Sequence, residues 1–230
     1  MPPALHENSE GAMRVEVSIA TTTGLTGALF PVLLRDFHRQ HRQVVVRVLD
    51  LPFAEVSQAV ASGQVDVGLA YGLPDTALFH VLAAREWEVG AVVPGHHPLA
   101  NKHDARLGDC IGNPLILPAP SMSLRAVLEA AFTDAGLKSI EPAFETTSTA
   151  LMRRLVALGV GITFLNPLDV IEESQRGELA FVPLTDSGLK PQTLSLIARQ
   201  GGPLSPAAQL FADALSAQSA LRAPAVRNRR

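Results

Sequence analysis

Three short stretches of this chain gather hydroxyl side chains where an apolar, strand-like run gives way to a helical pattern. They are Thr21, Thr22 and Thr23; Ser121 and Ser123; and Thr146, Thr147, Ser148 and Thr149. A Ser or Thr at such a junction accepts a hydrogen bond from the orphan backbone N–H groups of the first helical turn, and the helix start carries roughly half a positive charge. Together these features suit an anion. Any one junction is equally well explained as ordinary helix capping; three at matching places in two similar halves of the chain point to a ligand.

Other chemistries lack their residues. No G-x-S-x-G elbow, H-E-x-x-H pair or P-loop is present, and "GLTG" (24–27) and "GVG" (159–161) read as helix ends. Of the seven histidines, His96 and His97 are adjacent, and neighbouring imidazoles rarely reach one ion. Their place between "VVPG" and Pro98 reads as a turn that ends a strand. His38 and His41 lie three apart beside Arg39 and Arg42, as on a helix surface. Cys110 is the one cysteine, so an intramolecular disulfide is impossible, and no CxxC partner is near. The sequence therefore predicts no catalytic residue, no metal site and no cofactor.

With 230 residues, 47% hydrophobic and 18% charged, the chain has the composition of a globular protein of one large domain or two lobes. A formal net charge of −3, with no basic run inside the periodic part, argues against direct nucleic-acid binding by these residues. The basic "RAPAVRNRR" reads as a solvated tail. "MPPALHENSEGAM" lacks the basic-then-apolar order of a secretory signal, and no apolar run approaches the roughly 18 residues of a membrane span. The expectation is a soluble, cytoplasmic protein without membrane contact.

The elements that would position the hydroxyls follow from periodicity. Val15, Val17 and Ile19 alternate as in a strand; Leu29, Phe30, Leu33, Leu34 and Phe37 form a helical face; 44–51 is a β-branched strand. Phe53, Val56 and Val60 mark a helix stopped at Gly63, and 65–72 is a strand. After a strand-like 87–94 the pattern begins again: a strand in "NPLILP", helices over 123–136 and 149–159, and a strand over 161–166. Strand-like 178–184 and 193–200 precede a helix announced by Ser205 and Pro206. Alternating strands and helices predict an α/β fold of two Rossmann-like lobes with mainly parallel sheets, the chain crossing between them twice as a two-stranded hinge. Lobe I is expected from 14–87 with 192–221, lobe II from 88–191, and 1–13 and 222–230 as tails. Ligands in such sheets bind beyond the carboxyl ends of the strands, here in a crevice between lobes.

"VVPGHHPLA" (92–100) resembles the "hHPLA" turn of the effector-binding domain of LysR-type transcriptional regulators. "FPVLLRDFHRQHRQVVVRV", "VASGQVDVGLAYG", "LVALGVGITFLNP" and "LSPAAQLFADAL" resemble further motifs of that family in the same order, so the likeness runs over about 14–220. It implies a fold like the type 2 periplasmic binding proteins. It also implies ligand contacts at Thr21 and Thr22, Pro52 and Phe53, and Tyr71 in lobe I. In lobe II it implies Ser121, Met122 and Ser123 within the loop from Pro120, then Thr147 and Ser148, and Phe164 and Asn166. Arg42 and Gln43 replace the family's usual Tyr-Pro, "DLPF" (50–53) is unusual at the second helix start, and Asn166 stands where an apolar residue is common. Asn166 would read a polar group, and Phe53 and Tyr71 would flank an aromatic or aliphatic body.

The resemblance implies a sensor of a small-molecule effector, a carboxylate or another small organic molecule, that works as a homodimer or higher oligomer. In relatives the helix at 26–41 and the strand at 44–50 face the second lobe of the partner. DNA would be met only through a winged helix-turn-helix that in the family precedes the position of residue 14, and a trimmed chain is expected rather than a stand-alone sensor. The alternative is a solute-binding protein of a transport system, which shares the architecture. An enzyme on the same lobes lacks a nameable nucleophile or base.

Overall fold

The computed structural model describes residues 15–74, 76–137, 140–218 and 220–221; the tails expected at 1–13 and 222–230 lie outside them. In chain order the first elements are β1 (Val15–Thr21), α1 (Thr23–Gln40), β2 (Val44–Asp50), α2 (Phe53–Ala61), β3 (Val67–Tyr71) and β4 (Phe79–Trp87). They are followed by β5 (Gly90–Pro94), α3 (Leu107–Cys110), β6 (Leu115–Pro118), α4 (Ser123–Asp134), β7 (Phe144–Thr146), α5 (Thr149–Ala157) and β8 (Ile162–Leu165). The chain closes with α6 (Ile171–Gln175), β9 (Leu179–Pro183), β10 (Gln192–Arg199) and α7 (Pro206–Ser216), and short 3-10 turns occupy Pro98–Asn101 and Pro167–Val170.

Two five-stranded mixed sheets organise these elements, in the orders β2-β1-β3-β10-β4 and β7-β6-β8-β5-β9. In the first, β2 and β3 flank β1 in parallel, with Ile19 opposite both Val48 and Val67, and β10 runs antiparallel to β3. In the second, β7 and β8 flank β6 in parallel, while β5 runs antiparallel to β8 and β9. The residues fall into two compact units, one drawn from Met1–Thr22, Leu29–Arg85 and Thr193–Arg230, the other from Thr23–Ala28 and Glu86–Gln192.

In the first unit, Val56, Ala59 and Val60 of α2 pack with Ala20, Ala70 and Ile197 of the sheet. Gly68 makes this approach possible, since a Cβ there would lie 2.7 Å from Val60 Cγ2. α7 lies against β1, and its Phe211 meets Phe37 of α1 edge-on at 5.1 Å. The alternation read in β1 holds in its middle, where Val17 and Ile19 are buried on either side of half-buried Ser18; Val15 is exposed at the start, and Ala20 and Thr21 are both buried at the end. β1 sits inside a parallel run with elements on both faces, and such strands lose their polar side. Asp66, ahead of β3, ties this unit together: its Oδ2 accepts from the Ser18 backbone N–H and from the Ser18 hydroxyl, both at 2.7 Å.

The stretch 87–94, read from the sequence as one strand, is two. Trp87 ends β4 in the first sheet and Gly90 opens β5 in the second, where a Cβ on Gly90 would run into the Phe181 ring. The change of sheet is hidden because apolar residues flank it on both sides, Trp87 and Val89 before Gly90 and Ala91, Val92 and Val93 after it. β4 itself and the three-residue β7 went unread, since half-exposed edge strands carry little hydrophobic pattern. Gly63 and Gly159 stop α2 and α5 with φ of +74° and +72°.

Candidate functional site

In the first unit the parallel strands β1, β2 and β3 end together at Thr21, Asp50 and Tyr71. Leu51 N–H donates to Thr21 O at 2.9 Å, which brings Pro52 and the start of α2 at Phe53 to the same edge. Thr21, Thr22, Pro52, Phe53 and Tyr71 thus share one end of one sheet. Thr21 is fully buried, and its hydroxyl has no hydrogen-bond partner among the described residues. Thr22 is the N-cap of α1, but its side chain makes no capping hydrogen bond.

The second unit repeats the arrangement. β6, β7 and β8 are parallel and end at Pro118, Thr146 and Leu165, and Ala119 N–H donates to Thr146 O at 3.0 Å. Ser121, Met122 and Ser123 follow β6, Thr147 and Ser148 follow β7, and Asn166 follows β8. Ser148 caps α5, accepting from Leu151 N–H at 3.2 Å. Ser123 does not cap α4: Met122 holds the N-cap position, and Ser123 is the first helical residue. Phe164 points its ring into the core against Phe132, 5.7 Å between centroids in a T-shaped contact. Asn166 is buried, and its Nδ2 donates to Glu88 O at 3.0 Å.

Residues beyond those read from the sequence join this end of the second unit. Gln192, the first residue of β10, is buried and donates through Nε2 to Ser123 Oγ at 3.4 Å, and the other end of its amide has no partner among the described residues. Arg125 donates to Pro118 O at 2.9 Å, to Glu129 at 2.8 Å and to Glu145, so its charge is held at the β6 end by three acceptors. Thr149, already among the hydroxyls read from the sequence, is buried with its hydroxyl unpartnered among the described residues. No local pattern signals Gln192, because 69 residues separate it from Ser123.

Charge is distributed so that anions are not repelled at three of the four helix starts. α1, α4 and α5 have no acidic residue in the first turn, whereas α2 has Glu55. Asp169 is buried; desolvation pushes its carboxyl up to about 6, opposed by the hydrogen bond from Asn166 N–H and the charge of Arg153. Gly24 belongs to the same unit, and a Cβ there would lie 2.5 Å from Asp169 Oδ1 and 3.2 Å from Thr149 Oγ1.

The paired histidines form a turn. His97 Nδ1 accepts from Leu99 N–H at 3.2 Å, so the ring is the tautomer whose Nε2–H donates to Asn113 Oδ1, 3.2 Å away. The ring thereby starts the 3-10 turn at Pro98. The Cys110 thiol is buried, which pushes its pKa up to about 12, and Asp109 and Asp186 add to the effect. No group of three or more potential metal-ligating side chains occurs among the described residues.

The family model for the LysR substrate binding domain matches residues 10–220. The chain belongs to that family. It is similar to the transcriptional activator protein LysR of Escherichia coli, at 28% identity over 88% of this chain and 64% of the relative. It is also similar to a hydrogen peroxide-inducible genes activator of Haemophilus influenzae, at 27% identity over 70% of this chain and 53% of the relative. The chain spans 53% to 64% of the length of the first four curated relatives it matches. Among solved structures, the CcmR regulatory domain of Synechocystis in complex with 2-PG superposes with a TM-score of 0.73 at 18% identity, covering 88% of this chain and 96% of that one. The effector binding domain of QuiR in complex with shikimate gives 0.70 at 16%, covering 87% and 95%. At such identities the structures establish a shared fold, and the LysR substrate-binding domain is an effector-binding α/β fold of two mixed sheets.

Proposed function

We propose that this LysR-type domain senses a small organic acid that also carries a hydroxyl, bound at polar ends of its parallel strands. The observation that carries the reading is Gln192 beside Ser123: one end of a buried amide has no partner, at the acid-free start of α4. A buried amide left half-satisfied costs about 1–3 kcal/mol, and a ligand hydroxyl, donor and acceptor at once, removes that cost. The carboxylate suits the helix starts of α1, α4 and α5, where no acidic side chain competes. Thr21, Thr22, Pro52, Phe53 and Tyr71 supply the first unit's contacts; Ser121, Met122, Ser123, Thr147, Ser148 and Asn166 supply the second's, with Phe164 backing them from the core.

The lobes proposed are those expected at 14–87 with 192–221 and at 88–191, their boundary residues Trp87 and Gln192 falling in the second compact unit. The signal passes by differential affinity for two arrangements of the protein, to DNA held by a helix-turn-helix outside these residues, in a cytoplasmic homodimer. Family membership favours this regulator over a transport binding protein. A peroxide-sensing thiol finds no support, since Cys110 is buried and protonated at neutral pH.

A thermal-shift screen of hydroxy acids, simple carboxylates and neutral polyols tests the reading. A ligand at 100 times its Kd adds about 2.7 kcal/mol of stability. Thr22→Ala and Ser123→Ala should each weaken the same ligand about threefold to tenfold, the worth of one hydrogen bond. A screen without binders, or a binder indifferent to both substitutions, would overturn it.

A further inference from the structure

We propose that the second unit carries a separate apolar pocket that takes an uncharged hydrophobic molecule bearing one hydroxyl. A recess of about 350 Å³ lies beside α6 and is lined by Trp87, Leu168, Ile171, Phe181, Ser174 and Gln175, along with Pro167. None of the twelve residues assigned to the effector lines it. The volume is at the lower end of the about 300–1,000 Å³ typical of small-molecule sites, and the lining has their make-up, apolar walls with few polar groups.

The polar group that selects the ligand is Ser174. Its hydroxyl is buried and has no hydrogen-bond partner among the described residues, so the wall of an otherwise apolar recess holds an unmatched donor and acceptor. A ligand hydroxyl matches both. A carboxylate does not suit the place: Glu172 and Glu173 precede Ser174 on α6, and the cation at hand, Arg153, is already bound to Glu173 Oε1 at 2.8 Å. A cationic head would find no carboxylate in the lining, which holds no charged side chain. The favoured guest is a cycloaliphatic or aromatic alcohol, held by contact with Trp87, Leu168, Ile171 and Phe181.

The pocket contains its own reporter, because Trp87 is the single tryptophan of the chain. 4-Methylcyclohexanol, which does not absorb where tryptophan does, is titrated into the protein while Trp87 emission is followed. The expected result is a saturable change in emission. Ile171 is 41% exposed at the rim, so Ile171→Glu adds a charge without opening the core, and should weaken the probe at least tenfold. Gln175→Phe, which fills the mouth, should do the same if Ile171→Glu disturbs folding. Ser174→Ala should weaken it about threefold to tenfold, the loss of one hydrogen bond. 4-Methylcyclohexanecarboxylate should bind at least tenfold less tightly than the alcohol.

An absent or non-saturating response overturns the proposal, as does equal binding by folded Ile171→Glu and Gln175→Phe variants. Equal affinity for the carboxylate overturns the choice of guest. A Trp87 emission that changes with protein concentration in the absence of probe identifies a second copy of the chain as what covers the recess, and overturns it too. The effector reading is untouched by any of these outcomes, since its variants lie elsewhere.

Discussion

Asp169 is where burial and charge conflict most directly. Its Oδ2 accepts from Asn166 N–H at 3.2 Å in a capping box, while burial raises its pKa from an ordinary 3.8 to about 6. The folded protein therefore holds this proton more tightly than the unfolded chain. The stability it confers is complete below the usual carboxylate range and is lost as pH rises to about 6. An amide at this position keeps an acceptor for Asn166 N–H and has nothing to ionise. The unfolding free energy of Asp169→Asn minus that of the wild type should rise by on the order of 2–3 kcal/mol from pH 4 to pH 7, measured by urea titration. A difference that does not vary with pH would show an ordinary carboxyl. Gly24 follows from the same crowding, since any side chain there would strike Asp169 Oδ1. At this scale the hydroxyl clusters were legible as strand-end residues, but their duties were not. Ser148 caps a helix, whereas Thr22 and Ser123 make no capping bond, and only the local backbone separates these cases.

Among the elements, α7 has the most complete start signal. Ser205 accepts from Ala208 N–H at 3.1 Å, Pro206 occupies the first turn, and Ala207, Ala208, Phe211, Ala212 and Leu215 are buried at helical spacing. Because this helix covers β1, loss of its cap is felt by the whole first unit. Ser205→Ala should lower stability by about 1 kcal/mol, and Ser205→Asp should restore most of it, as read by chemical denaturation. No change in the alanine variant would mean that packing alone sets the helix start. The long, periodic helices α1, α2, α4, α5 and α7 were readable because each buries one continuous stripe. β4 and β7 were not, for an edge strand leaves the pattern half-exposed. The short α3 and α6 turn too briefly to show a period.

For the whole molecule, the open question is what pairs with the edge of the first sheet. β2 is an edge strand whose Val45, Val46 and Val48 are only partly buried, and Val32 on α1 is 54% exposed. An apolar sheet edge is a pairing surface unless something covers it. The proposed homodimer places this face against a partner chain. Wild-type protein should then sediment as a dimer at micromolar concentration and Val32→Glu as a monomer. A wild-type monomer would remove the support for pairing. Among the described residues, no helix is long and apolar enough to cross a membrane.

The longer helices and the buried strands they alternate with, the glycine stops, the Ser205 cap and the family motifs were all decided by the sequence, because each rests on neighbours within a few turns of chain. Asp66 lies inside one of those motifs, but its bonds to Ser18 span 48 positions and only the fold reveals them. What only the tertiary structure decided depends on residues far apart in the chain. The burial of Asp169, the meeting of Gln192 with Ser123, the change of sheet between Trp87 and Gly90, and the recess beside Ser174 are of this kind. Periodicity records which side of an element is apolar. It carries no record of which distant group will arrive opposite, and there desolvation and unmet hydrogen bonds create the chemistry.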